Sequence, residues 1–187
     1  MVEGSGTPGF VELYQAAAPA LYAWASLRIR PTLRRRLDPE DLVQEVCCRA
    51  FERRAHYDPE RGPFRAWLFG IAHNVLKKAI ENLARGPTQA SFVLSDASRQ
   101  IMASIPGEAT SVASRVARSD EVKRLLEQAE ELPERDQKLL VLRGLMGMRH
   151  PEIATRLDIS VSVAEKSWQR LRDRLAATGA APSFLQT

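Results

Sequence analysis

Apolar residues in this chain recur three and four positions apart almost wherever they cluster, and that periodicity restricts what it can fold into. Phe10, Leu13, Tyr14, Ala17, Leu21 and Trp24 make one such stripe, and Val43, Val46, Cys47, Ala50 and Phe51 a second. Phe64, Trp67, Leu68, Ile71 and Val75 make a third. Each stripe is the buried face of an amphipathic helix, so the chain is read as all-α. Pro19 falls inside the first stripe and predicts a bend there.

Capping chemistry fixes where these helices begin. Asp38 precedes Pro39, Glu40 and Asp41. A side-chain cap, a proline at the first helical position and carboxylates in the first turn suit the positive end of a helix. Off the stripe of this second helix lie Asp41, Gln44, Glu45 and Cys48, which are therefore expected to be open to solvent or a partner. The run Tyr57-Asp58-Pro59-Glu60-Arg61-Gly62-Pro63 is a loop. The helix after it places Asn74, Lys77 and Lys78 together on a polar, basic face.

From about Ala84 to Ser119 the pattern dissolves into Gly, Pro, Ser, Thr and Ala. That composition reads as a flexible linker over 85–119, with helical domains at 8–84 and 120–178. In the second domain Val122, Leu125, Leu126 and Ala129 share a face, and Pro133 opens a helix carrying Leu139, Leu140 and Leu142. Pro151 to Leu157 is a short helix, Asp158-Ile159-Ser160 a tight turn, and Ser160 the cap of a last helix from Val161 to about Ala176. The pattern is a helix-turn-helix. Ala164, Trp168, Leu171 and Leu175 face inward. Ser162, Glu165, Lys166, Gln169, Arg170 and Asp173 face outward, where a recognition helix meets base edges and phosphates.

A net charge of +4 and a pI near 9.4 favour a polyanionic partner approached through patches. Adjacent cysteines on a helix point apart, so Cys47 and Cys48 form no internal disulfide and suit a reducing cytoplasm. No membrane span or export leader is read. His56, His73 and His150 are too scattered to hold a metal, and no cofactor or catalytic set is expected.

Three blocks together resemble the extracytoplasmic-function (ECF) sigma factors of the sigma-70 family: Asp38-Pro39-Glu40-Asp41-Leu42-Val43-Gln44-Glu45, the run Phe64 to Asn74, and Leu132-Pro133-Glu134-Arg135 leading into the helix-turn-helix. The resemblance implies sigma region 2 at about 8–84, region 4 at about 120–178, and no chemistry in the chain itself. It implies core RNA polymerase as partner, through the β′ clamp coiled coil at Asp41, Gln44 and Glu45 and through the β flap, with promoter DNA as the second partner. An unstacked −10 base would be captured by the loop from Glu60 to Phe64, including Arg61, and by Asn74, with Lys77 and Lys78 on the backbone. The −35 element would be read by Ser162, Glu165, Lys166, Gln169 and Arg170. An anti-sigma protein is implied in the same way.

The chain departs from the family pattern at three places. His73 stands where an arginine is commoner, His150-Pro151 replaces Ser/Thr-Tyr, and Glu165 puts an acid where the recognition helix expects a base. Two other functions compete. A stand-alone helix-turn-helix regulator leaves the acidic helix and the Asn74 face unused. A metal-dependent nucleic-acid enzyme built on Asp38, Asp41 and Asp58 lacks convergent ligands. Trp67 and Trp168, lying within apolar stripes, are read as core rather than base-stacking residues.

Overall fold

The computed structural model describes residues 9–86 and 91–185, all helix and connecting turn among those described. The linker positions 87–90 and the terminal residues 1–8, 186 and 187 fall outside that range. Helix α1 (Phe10–Arg28) is one helical element that continues past Pro19. Its first turn is closed by Glu12, whose carboxylate accepts from the Gly9 N–H at 3.2 Å. Helix α2 (Pro39–Glu52) starts as its sequence demands, with Asp38 Oδ1 accepting from the Glu40 N–H at 2.7 Å. Helix α3 (Phe64–Arg85) completes a three-helix unit around Leu21, Trp24, Leu42, Val46, Leu68 and Ala72, all fully buried.

Aromatic packing sets the geometry of this unit. Trp24 meets Phe69 edge to face at 5.7 Å and lies against His73 at 5.0 Å. At the other end Phe10, Phe51, Tyr57, Phe64 and Trp67 form a cluster with centroid separations of 5.3–5.9 Å. Such pairs add about 0.5–1.5 kcal/mol each beyond their buried area. Trp67 thus belongs to the packing, as its stripe position predicted, although it is only partly buried.

The segment from 91 to 119 differs from the flexible linker its composition predicts. It holds three short helices, α4 (Asp96–Met102), α5 (Gly107–Thr110) and α6 (Val112–Ala117), and buries Ile105, Ala109, Val112, Ala113 and Val116 against α1 and α2. Helices this short do not hold themselves together in water. Tertiary contact supplies what propensity lacks, and a reading by composition could not see it.

The C-terminal unit packs α7 (Asp120–Glu130), α8 (Glu134–Leu139), α9 (His150–Leu157) and α10 (Val161–Ala177) around Leu125, Leu139, Leu140, Leu145 and Ile153. After α8 the chain widens into a π-helical turn, Leu140–Leu145. Gly144 sits there because nothing larger fits: a Cβ would lie 2.8 Å from Leu185 Cδ2 and 2.9 Å from the Trp168 ring. The tail therefore folds back, burying Ala180 and Leu185.

The apolar core is continuous between the two units. One side chain stitches their boundary. Arg65, on α3, donates to the carbonyls of Gly144, of Leu145 at 2.6 Å and of Phe184 at 3.1 Å. Burial, reinforced by Arg143 nearby, pulls its guanidinium down to about 10. Carbonyls at the end of a helical segment carry partial negative charge that intrahelical bonds leave unmet, and a guanidinium fork satisfies several at once.

Candidate polymerase and nucleic-acid interfaces

The outward face of α10 is the most open of the expected sites. A left-handed Asp158 (φ +52°) turns the chain out of α9, and Ser160 Oγ accepts from the Val163 N–H at 3.3 Å to start α10. Ala164, Trp168, Leu171 and Leu175 are buried as the stripe predicts. Ser162, Glu165, Lys166, Gln169 and Arg170 are all exposed. Gln169 already bonds Asp173 at 2.8 Å and Arg172 at 3.3 Å, which fixes its amide along the helix. Among the described residues neither Glu165 nor Lys166 nor Arg170 forms an ion pair.

The acidic face of α2 is different, and here the expectation of solvent exposure is corrected. Asp41 and Gln44 are half-buried, while Glu45 is 6% exposed and Cys48 fully buried. Glu45 Oε1 pairs with Arg49 Nε at 2.9 Å. Cys48 Sγ donates to the Ser98 carbonyl at 3.4 Å. Cys48 joins the apolar core and bonds the 91–119 segment at Ser98, and Glu45 lies between α3 and that segment, beside Asn74, Phe92 and Ser95. Burial pushes the Cys47 thiol up to about 12 and the Cys48 thiol to about 11, so neither is a reactive thiolate. Burial, followed by the like charges of Asp38 and Glu40, raises the Asp41 carboxyl above its usual range.

The −10 candidates divide between two cavities. Arg61 and the rest of the Pro59–Pro63 loop line a cleft of about 870 Å³ together with Gly70, His73 and the Met146–Arg149 turn of the C-terminal unit. Asn74 and Lys78 line another, of about 330 Å³, with Glu45, Arg49, Asn82 and Phe92. Lys77 is exposed and lines neither. Phe64 is a correction as well: it is 6% exposed, packed edge to face on Phe10 and Tyr57, and can only support the loop from beneath. His73, not picked from sequence as a contact, faces the cleft with its Nδ1 held 2.9 Å from the Phe69 carbonyl.

Asp38 and Asp58 both spend their carboxylates on backbone caps, bonding Glu40 N and Glu60 N. No group of three or more metal-binding side chains occurs among the described residues. No helix among them is long and apolar enough to cross a membrane.

Comparison with known proteins converges on one family. Residues 13–86 match the sequence model for Sigma-70 region 2, and residues 123–175 that for Sigma-70, region 4. The chain is 27% identical over 177 residues to the ECF RNA polymerase sigma factor SigD of Mycobacterium tuberculosis, spanning 90% of this chain and 77% of that one. It is 29% identical over 145 residues to the RNA polymerase sigma factor CnrH of Cupriavidus metallidurans, covering 75% and 72%. NccH of Alcaligenes xylosoxydans xylosoxydans is 26% identical over the same length. No solved structure matches. The region 2 match accounts for the N-terminal helices that a stand-alone regulator would leave without a role. The chain belongs to the ECF group of sigma-70 family sigma factors, which bind core RNA polymerase and direct promoter recognition and transcription initiation.

Proposed function

We propose that this factor divides promoter recognition between α10 at −35 and α3 with its preceding loop at −10, while α2 docks on the β′ clamp coiled coil and region 4 on the β flap. The domains run over about 8–84 and 120–178, and the protein acts in the cytoplasm, held by an anti-sigma partner until released. Like sigma factors generally, it contributes binding and no reaction.

The observation that carries this reading is the face of α10. A capped helix following a left-handed turn presents five polar side chains to solvent while Ala164, Trp168, Leu171 and Leu175 hold it to the core. Such a helix fits the major groove, where Lys166 and Arg170 reach guanine edges or phosphate and Glu165 accepts from a cytosine amino group. On α3, Asn74 offers an amide to an unstacked base, with Lys77 and Lys78 offsetting unstacking through phosphate contacts.

Promoter-directed run-off transcription with core enzyme tests the whole reading. Asp41→Lys combined with Glu45→Gln should lower core affinity at unchanged helicity, and unchanged affinity removes α2 as the docking helix. Asn74→Ala should erase −10 base preference on a pre-melted template. If His73→Ala erases it instead, the base enters the cleft under the Pro59–Pro63 loop.

A further inference from the structure

The α2 face assigned above to polymerase is already occupied by the protein's own chain. We propose that the segment from 92 to 116 is an intramolecular strap over that face, and that core polymerase must displace it to dock. The inference rests on the docking role given to α2.

Contact runs along the whole acidic side of the helix. Ser114 Oγ donates to Glu40 Oε2 at 3.0 Å, Arg49 reaches Ser95 Oγ at 3.4 Å, and Cys48 bonds the Ser98 carbonyl. Between these points Gln44, Cys47 and Cys48 of α2 and Met102, Ile105 and Ala109 of the strap line a gap of about 10 Å³, no more than one water sphere. A partner helix docking on Gln44 and Glu45 therefore meets the strap on that face while the strap is in place.

Two features mark the covered state as one of exchange rather than permanent burial. Glu45 Oε2 is buried with no hydrogen-bond partner while Oε1 pairs with Arg49, so the covered state leaves one carboxylate oxygen unmet on this face. A cationic partner surface would supply what the strap does not. Moreover, the strap's helices span seven, four and six residues, each below the length that is stable alone, so lifting them from α2 melts them. Opening is then a local unfolding reaction that leaves α1, α2 and α3 intact.

Hydrogen exchange on the full chain, free and bound to core RNA polymerase, reads both steps at once. The expected result is faster exchange over 96–117 in the complex, by about tenfold or more, together with slower exchange at the first turn of α2. If α2 slows while 96–117 keeps or gains protection, the strap stays in place and the proposal is overturned with docking intact. If α2 does not slow, the docking assignment itself has failed. As a second arm, Ile105→Asp should bind core enzyme about three- to tenfold more tightly by removing a competing state; affinity equal to or weaker than that of the parent, with the Trp24 environment unchanged by near-ultraviolet circular dichroism, also overturns it.

Discussion

The outward faces of α10 and α2 are built by the same rule and end in opposite states. Each helix starts on a side-chain cap, Ser160 or Asp38, and each commits one apolar stripe to a core. On α10 the polar remainder stays in water, and Glu165, Lys166 and Arg170 are exposed. On α2 the polar remainder is covered in part by the 91–119 segment, which packs into the same apolar core, and Glu45 is buried beside Arg49. Helical periodicity tells which residues leave the core of their own domain. It does not tell what else in the chain comes to cover them.

The comparison is broken most severely by removing the support of the open face. Trp168 is 5% exposed, anchors α10 and touches the only space a Cβ at Gly144 could take. Trp168→Ala should cost about 3–5 kcal/mol, seen as a lower urea midpoint. Because Gly144 sits between Trp168 and Leu185 and its carbonyl accepts from Arg65, the junction with α3 should loosen in the same variant.

A milder cut loosens the junction of the units without melting either. Arg65→Ala leaves the carbonyls of Gly144, Leu145 and Phe184 without their shared donor, at about 1–3 kcal/mol for the unmet groups. Relief of a desolvated guanidinium offsets part of that. The expected outcome is a larger radius of gyration by small-angle scattering with helicity retained. Arg65→Lys should not rescue it, since one ammonium cannot fork across three carbonyls.

On the open face, Glu165→Lys sharpens the contrast by adding a cation where DNA would sit. Non-specific affinity should rise and its salt slope steepen by about one. If the carboxylate reads a base directly, preference at one −35 position should fall by about 1–3 kcal/mol. Selection from a randomised −35 element with both proteins checks this, and identical preferred sequences would mean that Glu165 contacts no base.

The limits of sequence reading follow the same division. Helix starts were legible at Asp38 and Ser160 because capping is decided by residues within one turn, and the buried set on α10 was legible because period fixes direction. The roof over Glu45 and Cys48 was not, since it depends on contacts such as Cys48 to Ser98, fifty residues apart in the chain. Arg65 lies within the Phe64–Asn74 run, yet its role is not legible there, because its partners are backbone carbonyls 79, 80 and 119 residues away. Backbone acceptors leave no mark in a sequence. Phe64 and Asn74 show the converse limit: neighbours in a motif part company in space, one buried among aromatics and the other exposed beside Lys78.

The smallest effect falls on Asp41, where the covered and open halves of α2 meet. Its carboxyl titrates above the usual range because burial disfavours the charge, and Asp38 and Glu40 then add like-charge repulsion. A folded-state value above the unfolded one means that the protonated form favours the fold. That contribution is complete below the unfolded value and lost as pH rises through the raised one. At pH 7 the ionised carboxylate is therefore a net cost, reduced by the helix dipole and by the solvent that still reaches it. Asp41→Asn should raise stability at pH 7 by about 0.3 kcal/mol, an advantage that shrinks and vanishes as denaturation is repeated at acid pH. The same substitution should weaken core polymerase binding if Asp41 docks as proposed. Gain in stability with loss of binding is expected of a charge kept for a partner, whereas a carboxylate serving only the helix dipole would lose stability at pH 7 and leave binding unchanged.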